Sequence, residues 1–125
     1  MILSDLKVIA EADHGSKVTD AVVSVPVFFT DPQRRAMLDA CQIAGLNTMR
    51  LMHETTATAL AYGIFKTAEF GDDPHNVVFV DVGNSALQVC VVRFTKAGLK
   101  VLATAFDRNL GGNAFDQAMF DHFCA

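Results

Sequence analysis

Residues 77–92 carry the pattern that most restricts how this chain folds. An apolar run ends in Asp81, the chain turns through Gly83, Asn84 and Ser85, and a second apolar run follows. Two such runs around a glycine-containing turn predict a β-hairpin. Its tip would present a carboxylate and several backbone N–H groups, which suits a phosphate and its metal ion. Ordinary hairpin chemistry also explains a Gly-Asn turn, so the motif is weak when it stands alone.

The rest of the chain alternates between helical and extended patterns. Helical spacing of apolar residues predicts four helices, over about residues 2–13, 31–44, 55–66 and 113–123. Apolar and β-branched runs predict five strands, over about residues 21–28, 48–53, 77–82, 86–95 and 99–106. Alternating strands and helices followed by three consecutive strands are typical of an α/β protein with a mixed sheet. The stretch 67–76, with its Gly, Asp and Pro residues, predicts a boundary between two parts.

Apolar stripes predict which helix faces are buried. The stripe of the third helix consists of Ala57, Leu60, Ala61 and Ile64. The stripe of the last helix consists of Phe115, Met119, Phe120 and Phe123. We expect both stripes to pack into a core.

Composition narrows the classes of function. The net charge is −4 and the charges are scattered, which argues against a surface for nucleic acid or for an anionic membrane. No apolar run is long enough to cross a bilayer. Cys41, Cys90 and Cys124 lie far apart in apolar surroundings. We therefore expect reduced core cysteines in a cytosolic or nuclear compartment.

Two carboxylates stand where predicted strands end. Glu54 follows the strand over residues 48–53, and Asp81 follows the run over residues 77–80. Ligands of open α/β sheets collect beyond the carboxyl ends of strands, so both side chains would point into one cleft. Carboxylates suit Mg²⁺, which keeps most of its waters and takes other oxygens from phosphate. The alternative is structural, with Glu54 as a helix-capping acid and Asp81 as a turn residue.

A second glycine-containing turn precedes the last predicted helix. Gly111 and Gly112 would let a phosphate or ribose approach the N-terminus of this helix. Two adjacent glycines are also common in loops without a ligand. The four histidines have no metal-ligand spacing, and no Ser, Cys or Thr lies in a nucleophile-elbow pattern.

Seven motifs follow one another with a characteristic order and spacing, at residues 21–29, 33–35, 43–47, 54–57, 61–63, 81–83 and 110–116. Together they resemble the 70-kDa heat-shock chaperone family over essentially the whole chain. The resemblance implies an actin-like (ribonuclease-H-like) ATPase fold that is only partly present. Residues 1–66 would close lobe I, residues 67–76 would connect the lobes, and residues 77–125 would open lobe II. It also implies ATP or ADP with Mg²⁺ as cofactors, with Asp81 and Glu54 holding the metal through water.

The chain departs from the family in the hairpin turn. The family pattern Asp-Leu-Gly-Gly-Gly-Thr-Phe-Asp is replaced by a stretch that keeps Asp81 and Gly83 but has Ala86 for the threonine and Gln88 for the second aspartate. This variant resembles the divergent 110-kDa heat-shock branch. Members of that branch act mainly as nucleotide-exchange factors for 70-kDa chaperones and as holders of unfolded protein.

These departures predict a pocket that binds nucleotide but hydrolyses it poorly. Ala86 offers no hydroxyl, and Gln88 can orient a water but cannot act as a carboxylate base. Loss of a positioned acid–base group typically slows a reaction by about 10²–10⁴-fold. Whether the parent protein is an active enzyme stays open. The family's first phosphate loop and its adenine-binding helix are not in this chain, so we expect the chain alone to bind ATP weakly. The alternatives are an active ATPase of the 70-kDa type and a truncated product without a function of its own.

Overall fold

The computed structural model describes residues 2–66, 73–96 and 98–124. The elements are α1 (Ile2–His14), β1 (Asp20–Val25), α2 (Asp31–Ile43), β2 (Asn47–His53), α3 (Glu54–Lys66), β3 (His75–Val82), β4 (Leu87–Thr95), β5 (Gly98–Asp107) and α4 (Gly112–Cys124). This order confirms the predicted alternation of helices and strands followed by three strands and a helix. Within the described ranges, no helix has the length and apolar character needed to span a membrane.

The chain forms two compact units. One comprises Met1–Val25 and Phe29–Met52, and the other comprises Pro26–Phe28 and His53–Ala125. Helix α3 therefore belongs to the same unit as β3, β4 and β5. The predicted lobe boundary at residues 67–76 falls largely on residues 67–72, which lie outside the described part of the chain, and the division into lobes stays a prediction.

The first unit contains α1, α2 and a two-stranded sheet of β1 and β2. Strand β1 ends at Val25, three residues earlier than predicted, because Pro26 has no N–H to donate to a strand ladder. Helix α2 begins after Thr30, whose backbone N–H donates to Oε1 of Gln33 at 2.9 Å. This bond is one half of a capping box and fixes where α2 starts.

The second unit is built on an antiparallel sheet in the order β3-β4-β5. Strand β4 lies in the centre of the sheet. Every second residue of this strand is buried, so that one of its faces is covered, namely the face of Gln88, Cys90, Val92 and Phe94. This alternation follows from the two-residue period of a strand with one covered face. The face is apolar along most of its length and becomes polar only at Gln88.

Helix α3 covers this face of β4. Ala59 forms a buried cluster with Cys90, Val92 and Phe94. Tyr62 adds an edge contact with the ring of Phe79, 5.5 Å between centroids. Small residues on α3 permit this close approach, since a Cβ on Gly63 would lie 3.0 Å from the Phe94 ring.

The predicted stripe of α3 is therefore wrong. Ile64 is 72% exposed and Ala61 is exposed, whereas Thr55 and Ala59 are buried. Apart from Tyr62, the helix turns small side chains toward the sheet, where the aromatic rings of Phe79 and Phe94 already fill much of the space. Ile64 and Phe65 lie on the outer face.

The apolar stripe of α4 and one cysteine also differ from expectation. Phe115, Met119, Phe120 and Phe123 are all more than half exposed, so among the described residues nothing buries this stripe. Cys41 and Cys90 are buried free thiols as predicted, but Cys124 is exposed on the last turn of α4. The prediction of a core position for Cys124 is wrong.

Two turns of the second unit pack directly against each other. The Gly112 N–H donates to the Gly83 carbonyl at 3.0 Å, and the Asn113 N–H donates to the Asn84 carbonyl at 2.8 Å. A Cβ at Gly111 would lie 2.7 Å from the Gly83 oxygen and from backbone atoms of Asn84 and Ser85. Only glycine fits at this point of contact between the β3–β4 turn and the start of α4.

We expect Val92→Ala to lower the free energy of unfolding by about 2–3 kcal/mol, because Val92 is fully buried and its loss leaves a cavity. The matched change Val78→Ala, at a residue 57% exposed on the neighbouring strand, should cost less than about 1 kcal/mol. Urea unfolding of both variants measures the difference. Equal losses would contradict the described core.

We expect Gly111→Ala to lower the free energy of unfolding by about 1–3 kcal/mol, because the added methyl group overlaps the backbone of the β3–β4 turn. Gly112→Ala is the control. Its Cβ meets no atom closer than 3.7 Å, and alanine favours the helix that follows. The same unfolding measurement should find Gly112→Ala within about 0.5 kcal/mol of the wild type. A Gly111→Ala variant as stable as the Gly112→Ala variant would show that the two turns do not pack as described.

Candidate functional site

The buried side chain of Gln88 lies at the centre of a polar cluster in the second unit. Its Nε2 donates to Oε2 of Glu54 at 2.6 Å and to Oδ2 of Asp81 at 3.3 Å. Its Oε1 accepts the backbone N–H of Val27 at 2.8 Å. The residue is only 4% exposed. One amide thus joins three segments that are separated in the sequence.

Local structure explains why these groups meet. Asp81 lies directly opposite Gln88 in the register of β3 and β4, so the two side chains occupy the same face. Glu54 is the first residue of α3, which runs along that face of β4. Near this end of α3, the Cys90 thiol donates to the Thr55 carbonyl at 3.8 Å. Packing of α3 on the apolar part of β4 therefore carries Glu54 to the polar end of the strand.

The two predicted metal-binding carboxylates are therefore close together. Oxygens of Glu54 and Asp81 lie within hydrogen-bonding distance of a single nitrogen atom. Among the described residues, no group of three or more His, Cys, Asp or Glu side chains has the geometry of a complete metal site. Two carboxylates still fit Mg²⁺, which takes one or two protein carboxylates and completes its shell with water and phosphate. Asp81 and Glu54 are the residues that would hold it.

The β3–β4 turn has fewer free backbone N–H groups than the sequence predicted for the tip of this hairpin. The Gly83 N–H donates to the Ala86 carbonyl at 2.9 Å, which closes the turn. The N–H groups of Asn84 and Ser85 have no partner among the described residues, and both residues are exposed. They are the donors that remain for a phosphate. Ala86 brings no hydroxyl to this turn.

The second predicted turn has a structural role in this arrangement. The N–H groups of Gly112 and Asn113 already donate to carbonyls of the β3–β4 turn, so they are not available to a ligand. Gly111 is buried beneath that turn. Gly111 and Gly112 thus pack against the β3–β4 turn and stabilise it. Their contact with a cofactor stays a prediction.

Residues 26–28 are part of the site, although no pattern in the sequence indicates it. Besides the bond from Val27 to Gln88, the Phe28 carbonyl accepts from the guanidinium of Arg108 at 2.7 Å. The same guanidinium lies over the rings of Phe28 and Phe106, at 5.2 and 5.7 Å from their centroids. Pro26 is the local signal in this segment, and it indicates only the end of a strand. It does not predict that Val27 and Phe28 bond to side chains 61 and 80 residues further along the chain.

Comparison with known proteins agrees with this architecture. The family model described as Hsp70 protein matches residues 1–125. The chain is 55% identical over 125 residues to Heat shock 70 kDa protein 14 of Arabidopsis thaliana, covering 100% of this chain and 15% of that protein. It is 57% identical over 126 residues to Heat shock 70 kDa protein 4 of Homo sapiens, covering 99% of this chain and 15% of that protein.

A third relative, Heat shock 70 kDa protein 4L of Homo sapiens, is 53% identical over 126 residues, again with 99% of this chain and 15% of that protein covered. The chain thus spans about 15% of the length of the curated relatives that it matches. The family match confirms the resemblance and the predicted fold class, which is part of an actin-like ATPase fold. The chain belongs to the Hsp70 family of chaperones, and its helices and strands form part of the nucleotide-binding domain of that family.

Proposed function

We propose that this chain belongs to a chaperone of the 110-kDa heat-shock type that binds Mg²⁺-ATP or Mg²⁺-ADP and hydrolyses ATP slowly. One observation carries the proposal: Glu54 and Asp81 converge on Gln88, where the family pattern has a second aspartate. The carboxylates that suit a metal ion are present, and the acid beside them is replaced by a neutral amide.

Nucleotide binding follows from the family and from the chemistry of the two carboxylates. Full-length proteins of the Hsp70 family bind ATP and ADP with Mg²⁺. In this chain Asp81 and Glu54 would hold the hydrated ion, and the N–H groups of Asn84 and Ser85 would face a phosphate. When bound, Mg²⁺ supplies positive charge that offsets the charge of the phosphates. The carboxylates orient its waters, and the turn supplies directional donors.

Slow hydrolysis follows from how Gln88 is used. Its nitrogen donates to two carboxylates and its oxygen accepts from Val27, so both polar ends of the side chain are engaged inside the protein. We infer that Gln88 positions its neighbours and does not orient the attacking water. An amide is no proton acceptor at neutral pH, and Ala86 cannot replace the missing hydroxyl. Position 88 therefore contributes no general base to this corner of the pocket.

The cellular role that we propose is assistance to other chaperones. Chaperones of the Hsp70 family work with client proteins and co-chaperones. A family member that binds nucleotide without rapid turnover keeps one conformation for long periods, which suits a nucleotide-exchange factor for 70-kDa chaperones and a holder of unfolded protein. We propose the cytosol, and also the nucleus, as its location, where the buried thiols of Cys41 and Cys90 would stay reduced.

We expect the double change Ala86→Thr with Gln88→Asp to raise ATP hydrolysis at least tenfold, because it restores a hydroxyl and a carboxylate beside Asp81. The measurement is steady-state phosphate release in excess Mg²⁺, made on the longest gene product that contains this chain. The control is Ala105→Thr with Gln117→Asp, the same chemical changes at exposed residues of β5 and α4. An unchanged rate in the first variant would contradict the proposed cause of slow turnover. A wild-type rate as high as that of the double variant would favour an active ATPase of the 70-kDa type.

We expect the same gene product to speed the release of fluorescent ADP from a 70-kDa chaperone at least tenfold. The physical reason is that a partner that binds the nucleotide-free conformation more tightly shifts the population toward it. Stopped-flow fluorescence with excess unlabelled ATP measures the rate, with an equal mass of serum albumin as the control. A release rate no faster than that with albumin would contradict the proposed role in nucleotide exchange. It would not bear on whether the protein itself binds nucleotide.

A further inference from the structure

We propose that Gln88 is a positioning residue that holds Glu54, Asp81 and the 26–28 segment together without a metal ion. Its side-chain nitrogen supplies the two donors that the carboxylate pair needs, so that the folded cluster does not depend on Mg²⁺. The inference concerns the protein in the absence of nucleotide and does not rest on the proposed function.

The hydrogen-bonding capacity of Gln88 matches the cluster. A glutamine amide has two N–H donors and one carbonyl acceptor. The two donors meet the two carboxylates, and the acceptor meets the N–H of Val27. Serine, threonine and asparagine are either too short or have too few donors to make all three contacts from the same position on β4. Because the residue is buried, water cannot replace these bonds cheaply.

The pair of carboxylates explains why donors are needed at this place. Two like charges that face the same small volume repel each other unless a cation or hydrogen-bond donors lie between them. A carboxylate at position 88 would bring a third negative group to within hydrogen-bonding distance of the other two. A bound cation, or uptake of a proton by one of the three carboxyl groups, stabilises that arrangement. The residue at position 88 thus decides whether the fold of this cluster is coupled to a metal ion.

Two arginines of the unit are engaged elsewhere. Arg108 donates to the Phe28 carbonyl, and its guanidinium carbon lies over two aromatic rings. Arg93 donates to Asn76 at the opposite end of β3 and β4. Gln88, which lies in the central strand, donates a hydrogen bond to each of the two carboxylates.

The test compares thermal unfolding of the full chain with and without Mg²⁺. Without nucleotide, we expect the melting temperature of the wild type to change by less than about 1 °C between excess EDTA and about 10 mM Mg²⁺, because Gln88 already satisfies both carboxylates. We expect Gln88→Glu to melt about 5–10 °C lower in EDTA, since two charge-assisted bonds are lost and a like charge is added. Mg²⁺ should restore at least half of that loss.

Two controls separate this effect from others. Gln117 also donates to a carboxylate, Asp121 at 2.7 Å, but on the exposed surface of α4, so Gln117→Glu should neither lower the melting temperature by more than about 2 °C nor respond to Mg²⁺. Sodium chloride at the ionic strength of the Mg²⁺ buffer tests for general screening. It should restore much less of the loss in Gln88→Glu than Mg²⁺ does.

A local measurement keeps the proposal testable if Gln88→Glu does not fold. Gln88→Met removes the acceptor for the Val27 N–H, so hydrogen exchange in a peptide that contains Val27 should become at least tenfold faster than in the wild type. A wild-type melting temperature that rises with Mg²⁺ would overturn the proposal, as would unchanged Val27 exchange in Gln88→Met or equal rescue of Gln88→Glu by sodium chloride.

Discussion

The second unit depends on one buried amide at the end of an otherwise apolar strand face. Gln88 takes the position that a large apolar residue would hold in a uniform core, and its two polar atoms bond to groups from three different segments. A buried amide group whose hydrogen bonds are unmet destabilises the fold by about 1–3 kcal/mol. The three partners must therefore be present together, which ties the 26–28 segment, α3 and β3 to the same point.

Apolar packing at the other end of the buried face of β4 brings these segments to Gln88. Cys90, Val92 and Phe94 continue the face of Gln88, and Ala59 lies against them. The small side chains of α3 allow the helix to lie flat on the strand, and the start of the helix then lies beside Gln88. Apolar packing of α3 thus fixes the location of a single carboxylate, Glu54. Site geometry in this unit is a consequence of core packing and is not set by the site residues alone.

The sequence predicted the elements well because each has a local signal. The hairpin of β3 and β4 and the glycines before α4 are both visible within a few residues of chain. The buried face of α3 was missed because apolar residues lie on both of its faces, and periodicity cannot tell which of them meets a sheet. Gln88 was recognised as the replacement of an acid, but its role was not, since a bond to Val27 spans 61 residues. The alternation of Gln88 with Cys90, Val92 and Phe94 was the one signal that it points inward.

The replacement of the family's second aspartate by Gln88 affects catalysis and stability in opposite ways. An aspartate at position 88 would provide a base for water but would leave three acids facing one another, an arrangement that a bound cation or the protonation of one acid stabilises. In our proposal, a glutamine at this position provides no base and, through its two N–H groups, makes the ion unnecessary for the fold. In our proposal, one side chain thus accounts both for slow hydrolysis and for a cluster that folds without the ion.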